Sequence, residues 1–313
     1  MSAIVVYPGY SRDQEVSAHV DELPCYGIDL GTTTTLVCVV DPKTVSLRDD
    51  LTVPIQFISV PQHSPFEFHP TIEDDEVASM VAIYNGRPYV GSNLYHLKGH
   101  PGFVYKKNMF YHWKLELGID HDPMYPEAVS ANMDMPYKIA GGILKYICKT
   151  RLANRLLRNI IITVPASFQA NQRQDVLKAA EIAEMQVSGN MLIDEPNAAF
   201  LGYFNRLTQE EKVEWARAVR NKNVLVVDFG GGTLDLSILN VDFHPRQGIT
   251  IGNVAISRYN DLGGQDIDTL IAEEELLPQL RRVFDDFDTV DTNDIAEVIM
   301  PQLALIGEKL KKG

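Results

Sequence analysis

The stretch Asn223-Val-Leu-Val-Val-Asp-Phe-Gly-Gly-Gly-Thr-Leu-Asp-Leu-Ser-Ile-Leu239 runs the apolar residues Val224 to Val227 into Asp228. Three glycines, Thr233 and an alternating Leu234, Leu236, Ile238 follow. The pattern predicts strand, tight glycine turn, strand: a β-hairpin with a carboxylate at the end of its first strand. Glycines at the tip accept φ > 0 and let backbone N–H groups approach an anion closely. Asp228 can hold a metal beside that anion, directly or through water. Alone, the same pattern also fits a plain tight turn.

A second copy changes the weight of that reading. Tyr26-Gly-Ile-Asp-Leu-Gly-Thr-Thr-Thr-Thr-Leu-Val-Cys-Val-Val40 again leads a short apolar strand to a carboxylate, Asp29, then to Gly31 and hydroxyls, then to a strand over Leu36 to Val40. Two such hairpins facing each other can clamp a polyphosphate and its metal from both sides.

The chain has 313 residues, enough for about two domains, and its formal net charge is −14. An acidic balance of this size argues against non-specific binding to nucleic acid or to an anionic membrane. It does not argue against a nucleotide, which backbone amides and a metal grip locally. Cys25, Cys38 and Cys148 show neither metal-ligand nor disulfide spacing, so a reducing, cytoplasmic compartment fits. No apolar run is long enough to span a membrane, and no signal peptide is visible at the N-terminus. Residues 1–23 read as an extension, either loose and polar or carrying a docking strand near Ile4 to Tyr7.

Between the hairpins, Thr52 to Val60 reads as a strand broken by Pro54. Residues 61–80, with three prolines and the acidic run Glu73 to Glu76, read as a solvated surface loop. Asn85-Gly86 marks a hairpin within Val81 to Val90. A 3.6-residue apolar period predicts a helix from about Pro136 to Leu157. A strand over 159–164, a helix over 169–185, a strand over 187–193 and a helix from Glu195 follow. This alternation predicts an α/β fold with a mixed sheet. Thr208-Gln-Glu-Glu211 forms a capping box for a short charged helix. After the second hairpin come a strand over 249–259, a glycine turn entering a helix over 267–282, and a helical region over 294–312 divided by Pro301.

Five segments in order carry a family resemblance: Gly27-Ile-Asp-Leu-Gly-Thr-Thr33; Ile162-Thr-Val-Pro-Ala-Ser-Phe168 with Gln172-Arg-Gln174; Ile193-Asp-Glu-Pro-Asn-Ala-Ala199; Val227-Asp-Phe-Gly-Gly-Gly-Thr-Leu-Asp235; and Leu262-Gly-Gly-Gln-Asp-Ile-Asp268. From about residue 24 onward the chain resembles the Hsp70 nucleotide-binding domain, within the actin and sugar-kinase ATPase superfamily. Gln265 and Asn197 depart from the usual glutamate and threonine, marking a divergent member. The resemblance implies an α/β, actin-like (ribonuclease H-like) fold with ATP or ADP and Mg²⁺ in the cleft. It implies lobe I over 24–221, with an outer subdomain at about 58–136, and an incomplete lobe II over 222–313, with an outer subdomain at about 263–301.

Several residue roles follow from motif position. Asp29 and Asp228 would face each other across Mg²⁺, with turn capping as the structural alternative. Gly31, Thr32, Thr33 and Thr34 would offer amides and hydroxyls to the phosphates, although Thr34 also suits an ordinary strand. Gly230, Gly231, Gly232 and Thr233 would grip from the other side, with Gly263 and Gly264 behind them. Glu195 would place the attacking water or the metal's hydration shell, or simply favour a helix N-terminus. Pro165 matches a proline that couples the nucleotide to lobe movement.

The family's catalytic lysine maps to Lys107, with Lys106 as second choice. The arginine one place after it and the glycine four places after it are replaced by Asn108 and Tyr111. Glu308, Lys311 and Lys312 resemble the helix that holds adenine and ribose. The reaction implied is phosphoryl transfer to water, driven by positioning and electrostatics. Co-chaperones and client polypeptides would engage through a C-terminal region not in this sequence. The competing readings are a nucleotide-dependent switch or scaffold with little hydrolysis, a small-molecule kinase, and an actin-like filament protein.

Overall fold

A computed structural model describes residues 4–6, 23–45, 53–152, 159–218, 222–244, 248–257, 262–284 and 286–312. The first hairpin forms as its pattern predicts: β2 (Cys25–Leu30) and β3 (Thr34–Val40) pair antiparallel, Leu30 opposite Thr35. β11 (Ile160–Val164) adds parallel to β2, and β12 (Leu192–Asp194) parallel to β11. β4 (Gln56–Phe57) and β7 (Val77–Ala78) pair with β3, completing a mixed six-stranded sheet. After β3 the chain makes the single turn α1 (Pro42–Val45).

The helices α2 (Pro136–Arg151) and α3 (Ala170–Ile182) bury one face of this sheet. Ile139, Ile143, Leu144 and Ile147 of α2 are wholly buried against Ile28, Leu30, Ile160 and Ile162. This is the 3.6-residue stripe of α2 meeting the two-residue alternation of the strands. The continuation of that helix towards Leu157 falls largely on residues outside those described.

Residues 61–80 are more structured than their prolines and charges imply. β5 (Val60–Gln62) and β6 (Ile72–Asp74) form a hairpin of their own. The acidic residues 73–76 stay at the surface while Val77, Ala78, Ser79 and Met80 are buried. The reading of 61–80 as a loop fails because Val77 and Ala78 satisfy the edge of β3. β8 (Val81–Tyr84), β9 (Arg87–Val90) and β10 (Met109–Phe110) form a small sheet, with Asn85 (φ 50°) and Gly86 (φ 73°) turning the β8–β9 hairpin as the Asn-Gly pair demands.

The second principal sheet has the order β1–β15–β14–β13. It consists of β1 (Ile4–Val6), β15 (Gly248–Ile256), β14 (Leu234–His244) and β13 (Asn223–Phe229). α4 (Glu195–Arg206) starts at the end of β12 and lays Phe200 and Phe204 on Leu239, Val241, Ile249 and Ile251 of this sheet. α5 (Gln209–Ala218) follows, started by the reciprocal Thr208–Glu211 pairing its sequence predicts.

α6 (Gly264–Leu270) runs through a π-helical turn (Ile271–Leu276) into α7 (Leu277–Val283). Pro278 lacks the N–H that would continue an ordinary α ladder. A second such turn (Ile295–Ile299) joins α8 (Thr292–Asp294) to α9 (Met300–Lys312). The helical run 292–312 continues through Pro301 and is not divided there, the change of hydrogen-bond ladder in the π turn just before it accommodating the missing N–H. Among the described residues no helix is long and apolar enough to cross a membrane.

Candidate functional site

The two glycine hairpins close with the same hydrogen bond. Gly31 N–H donates to Thr34 O at 3.1 Å, and Gly230 N–H donates to Thr233 O at 2.8 Å. In both, the carboxylate stands two residues before the donating glycine. The tips touch: a Cβ on Gly231 would lie 1.8 Å from Thr33 Oγ1, and one on Gly232 2.8 Å from Thr32 Cγ2. Glycine serves this approach by lacking a Cβ; contrary to the expectation from the pattern, none of Gly31, Gly230, Gly231 and Gly232 takes a positive φ, because both turns close without a left-handed residue. A Cβ on Gly31 would meet Thr34 O at 2.3 Å, so the first turn is as constrained as the second.

Buried hydroxyls fix the first tip. Ser79 Oγ donates to Gly31 O at 2.7 Å and lies 2.9 Å from Thr35 Oγ1, while Ser79 N–H donates to Thr33 O. The second tip is fixed by the start of α6. Gly264 N–H donates to Gly230 O at 3.0 Å and Gln265 N–H to Gly231 O at 2.8 Å; a Cβ on Gly263 would strike Gly232 at 2.6 Å.

Carboxylates gather at the strand ends. Thr163 Oγ1 donates to Asp29 Oδ1 at 2.7 Å. Burial raises the Asp228 pKa above its ordinary value, with the charges of Asp235 and Asp29 adding to it and Lys114 opposing. Burial likewise raises that of Glu195, the first residue of α4, against the pull of Lys114 and with repulsion from Asp29 and Asp228. Ser167 Oγ donates to Asp235 Oδ1 at 2.9 Å, leaving the buried Oδ2 without a partner among the described residues.

Mutually repelling carboxylates of this kind gain from a cation. Among the described residues, no group of three or more His, Cys, Asp or Glu side chains is close enough to ligate one directly. What the carboxylates offer a cation is charge relief: Asp228, raised by burial and by Asp235 and Asp29, would ionise more readily beside one.

The lysine among these groups is Lys114. Its Nζ lies 2.7 Å from Glu195 Oε1, its side chain is 6% exposed, and it stands 5.9 Å from the Phe168 ring centre. The neighbouring Trp113 is buried and donates Nε1–H to Ser79 O at 2.9 Å, tying the lysine's segment to the first hairpin.

Lys107 and Lys106, the sequence candidates, lie elsewhere. Lys107 is exposed and pairs with the exposed Glu127 at 2.5 Å. Lys106, in the left-handed region at φ 63°, pairs with Glu116. Neither is brought to the carboxylates, because the chain between 104 and 110 turns back on itself through Val104 O. The sequence signal that points to Lys114 is Gly118, four places after it and at φ 78°, which restores the glycine spacing that Lys107 lacks.

A cleft of about 460 Å³ opens beside the hairpins. Its lining includes Thr32, Thr33, Gly230, Gly231, Gly264, Glu308 and Lys311. Lys311 Nζ donates to Gly264 O at 2.7 Å and pairs with Asp268 at 2.8 Å, holding α9 to the start of α6. Thr34 is the first residue of β3, paired with Ala78, and is not among the cleft-lining residues. The side chain of Lys312 lies outside those described. Tyr95, Lys98, Tyr111 and His112 add an aromatic part to the lining, and Lys98 Nζ sits 4.6 Å from the Tyr111 ring centre. Nothing in the sequence pattern singled out this aromatic lining.

The family model described as Hsp70 protein matches residues 96–312. A chaperone protein HscA homolog of Acinetobacter baumannii is 31% identical over 256 residues, covering 79% of this chain and 36% of that protein. A heat shock cognate HSP70 protein of Trypanosoma brucei brucei is 34% identical over 143 residues, covering 45% of this chain and 19% of that protein. A heat shock protein homolog of Encephalitozoon cuniculi is 35% identical over 144 residues, covering 45% of this chain and 20% of that protein. The chain thus spans about a fifth to a third of the length of these curated relatives.

Proposed function

The chain belongs to the Hsp70 family, and on that premise we propose that its cleft binds ATP or ADP with Mg²⁺ and hydrolyses ATP as the motor domain of a chaperone. The observation that carries this reading is the pair of touching hairpins with identical closing hydrogen bonds, set beside Lys114 and Glu195. In this reading residues 24–221 and 222–313 are two lobes of an actin-like fold, with outer subdomains at about 58–136 and 263–301, and the nucleotide lies between them.

Each residue then has a task. Backbone amides of 32–33 and 231–233 hold the phosphates, since the tips expose N–H groups to an anion, while those of Gly31 and Gly230 close the turns. Asp29 and Asp228 would hold Mg²⁺ through its waters. The ion would neutralise phosphate charge. Lys114 presents a positive charge where charge accumulates on the transferred phosphoryl group. Glu195, with its raised proton affinity, orients the attacking water and accepts a hydrogen bond from it. Glu308 and Lys311 bound the side of the cleft suited to the nucleoside.

The relatives' names are those of heat shock and chaperone proteins, which favours a chaperone motor over a switch or scaffold with little hydrolysis. Client polypeptides and co-chaperones are the partners this reading implies. The free cysteines among the described residues support a reducing, cytoplasmic compartment.

Calorimetric titration with ATP in Mg²⁺ and in EDTA tests the proposal. Binding in Mg²⁺ that weakens at least tenfold in EDTA is the expected outcome. No detectable ATP binding at millimolar nucleotide overturns it.

A further inference from the structure

Lys114 lies in a short 3₁₀ turn (Trp113–Glu116), and its flexible four-carbon stem gives the ammonium little rigidity of its own. Its Nζ is nevertheless held 2.7 Å from Glu195 Oε1. The place of the ammonium therefore depends on what fixes the backbone on either side of the turn. Upstream, the tie is Trp113 Nε1–H to Ser79 O. Downstream, the turn runs into Leu117, which is buried in the core, and then into Gly118 at φ 78°.

Gly118 is gripped by two side chains of α3. Its N–H donates to Asp175 Oδ2 at 2.8 Å, and its carbonyl accepts from Asn171 Nδ2 at 2.6 Å. Asn171 and Asp175 are four positions apart and so stand one above the other on a single helix face. Engaging both polar groups of one residue fixes its orientation as well as its position. The seat is tight: a Cβ on Gly118 would lie 2.7 Å from Gln172 Cγ and 2.8 Å from Asn171 Nδ2. Asp175 is buried, and its Oδ1 accepts from Lys178 Nζ at 2.8 Å, so both of its oxygens are engaged. The same stretch of α3 reaches the other member of the pair. Arg173, between the two clamp residues, donates Nε–H to Phe168 O at 3.1 Å and pairs with Asp194 at 2.5 Å, and Glu195 is the next residue.

We infer that Asn171 and Asp175 are positioning residues for Lys114. By clamping Gly118 they make the start of α3 the gauge that sets the lysine's distance from Glu195. A misplacement of about 1 Å at a catalytic group costs on the order of 10²-fold in rate. The catalytic consequence rests on the ATPase reading proposed above; the clamp itself does not, and the two are measured separately.

Reductive methylation of the full chain with formaldehyde and cyanoborohydride, read by mass spectrometry, measures the clamp. Lys114 should label about fivefold faster, or more, when Asn171→Ala and Asp175→Ala are combined, because local opening exposes it. The exposed Lys107 should be unchanged and serves as reference. Asp175→Asn keeps an oxygen for the Gly118 N–H and should leave Lys114 labelling within about twofold of the parent chain. An unchanged Lys114 rate in the double variant overturns the inference, whether or not the chain hydrolyses ATP. If faster labelling of Lys138, paired with Asp134 at 2.9 Å, shows that the double variant has unfolded, Asn171→Ala alone decides. Labelling of Lys114 about twofold faster or more is then expected, and no change overturns the inference.

Hydrolysis supplies the second readout. The single-turnover rate of the double variant should fall about tenfold while ATP affinity stays within about twofold, and Asp175→Asn should recover the rate to within about threefold. Rate and affinity falling together, without rescue by asparagine, would mark a general loss of packing and overturn the positioning role. Faster labelling of Lys114 with no fall in rate overturns the catalytic consequence, and with it the task proposed for Lys114.

Discussion

Lys114 Nζ and Glu195 Oε1 lie 2.7 Å apart although 81 residues separate them in sequence, and their side chains are only 6% and 15% exposed. A buried pair of this kind holds each partner in a fixed place and raises the cost of losing either one. Lys114→Met should lower the single-turnover rate of ATP hydrolysis about 10²–10³-fold, the usual loss when a preorganised charge is removed from a transition state. Lys107→Met should leave that rate unchanged. Quench-flow measurement on both variants decides the matter, and the reverse ranking would return the catalytic part to Lys107.

Removing charge from Asp228 should stabilise the protein in the absence of metal. Its folded pKa is raised by burial and by Asp235 and Asp29. A raised carboxyl contributes stability that is fully present below the unfolded pKa of 3.8 and lost as pH rises through the folded value. At pH 7 the ionised group therefore opposes folding. Asp228→Asn should raise Tm in EDTA by roughly 1–3 °C and lose the further rise that Mg²⁺ with nucleotide gives the parent chain. Scanning calorimetry with and without Mg²⁺ reads both effects; a lower Tm in EDTA contradicts the account.

The approach of the hairpin tips predicts a matched pair of substitutions. Gly231→Ala places a Cβ 1.8 Å from Thr33 Oγ1, which must force the tips apart. ATP affinity should fall at least tenfold, about 1.4 kcal/mol or more. Thr33→Ala removes the struck oxygen, so the double variant should recover part of the loss. Additive losses in a double-mutant cycle would show that the two residues do not meet.

Acid should destabilise the protein through His112. Burial first, then Lys98 and Lys106, push its pKa from the ordinary 6.5 down to about 3. The folded ring stays neutral while the unfolded chain takes up a proton below pH 6.5, so stability is lost as pH falls from 6.5 towards 3. The loss between pH 6.5 and 5 should be about 2 kcal/mol. Urea unfolding at the two pH values, compared with His112→Gln, isolates it; the variant should show a shallower pH slope.

Most of the α/β alternation was legible because local patterns carry it. The Asn85-Gly86 turn, the stripe on α2 and the capping box at Thr208 each rest on residues a few positions apart. Boundaries failed where a distant partner set the conformation. Val77 and Ala78 became a strand because the edge of β3 was open to them. Of the two readings of residues 1–23, the docking strand near Ile4 is the one that pairs, because β15 accepts it. Pro301 read as a helix divider, yet the π turn before it places it at a position that tolerates proline.

By itself the sequence determined the two hairpins, since a glycine that must pass close to a neighbouring segment is written into the chain. It also determined the order of helices and strands from Pro136 to the second hairpin. Only the tertiary structure decided which lysine lies beside Glu195. Lys106, Lys107 and Lys114 are chemically alike, and what separates them is burial against Glu195 at the end of a strand far along the chain. A charge takes its function from the field it is folded into, and that field comes from residues with no sequence proximity to it.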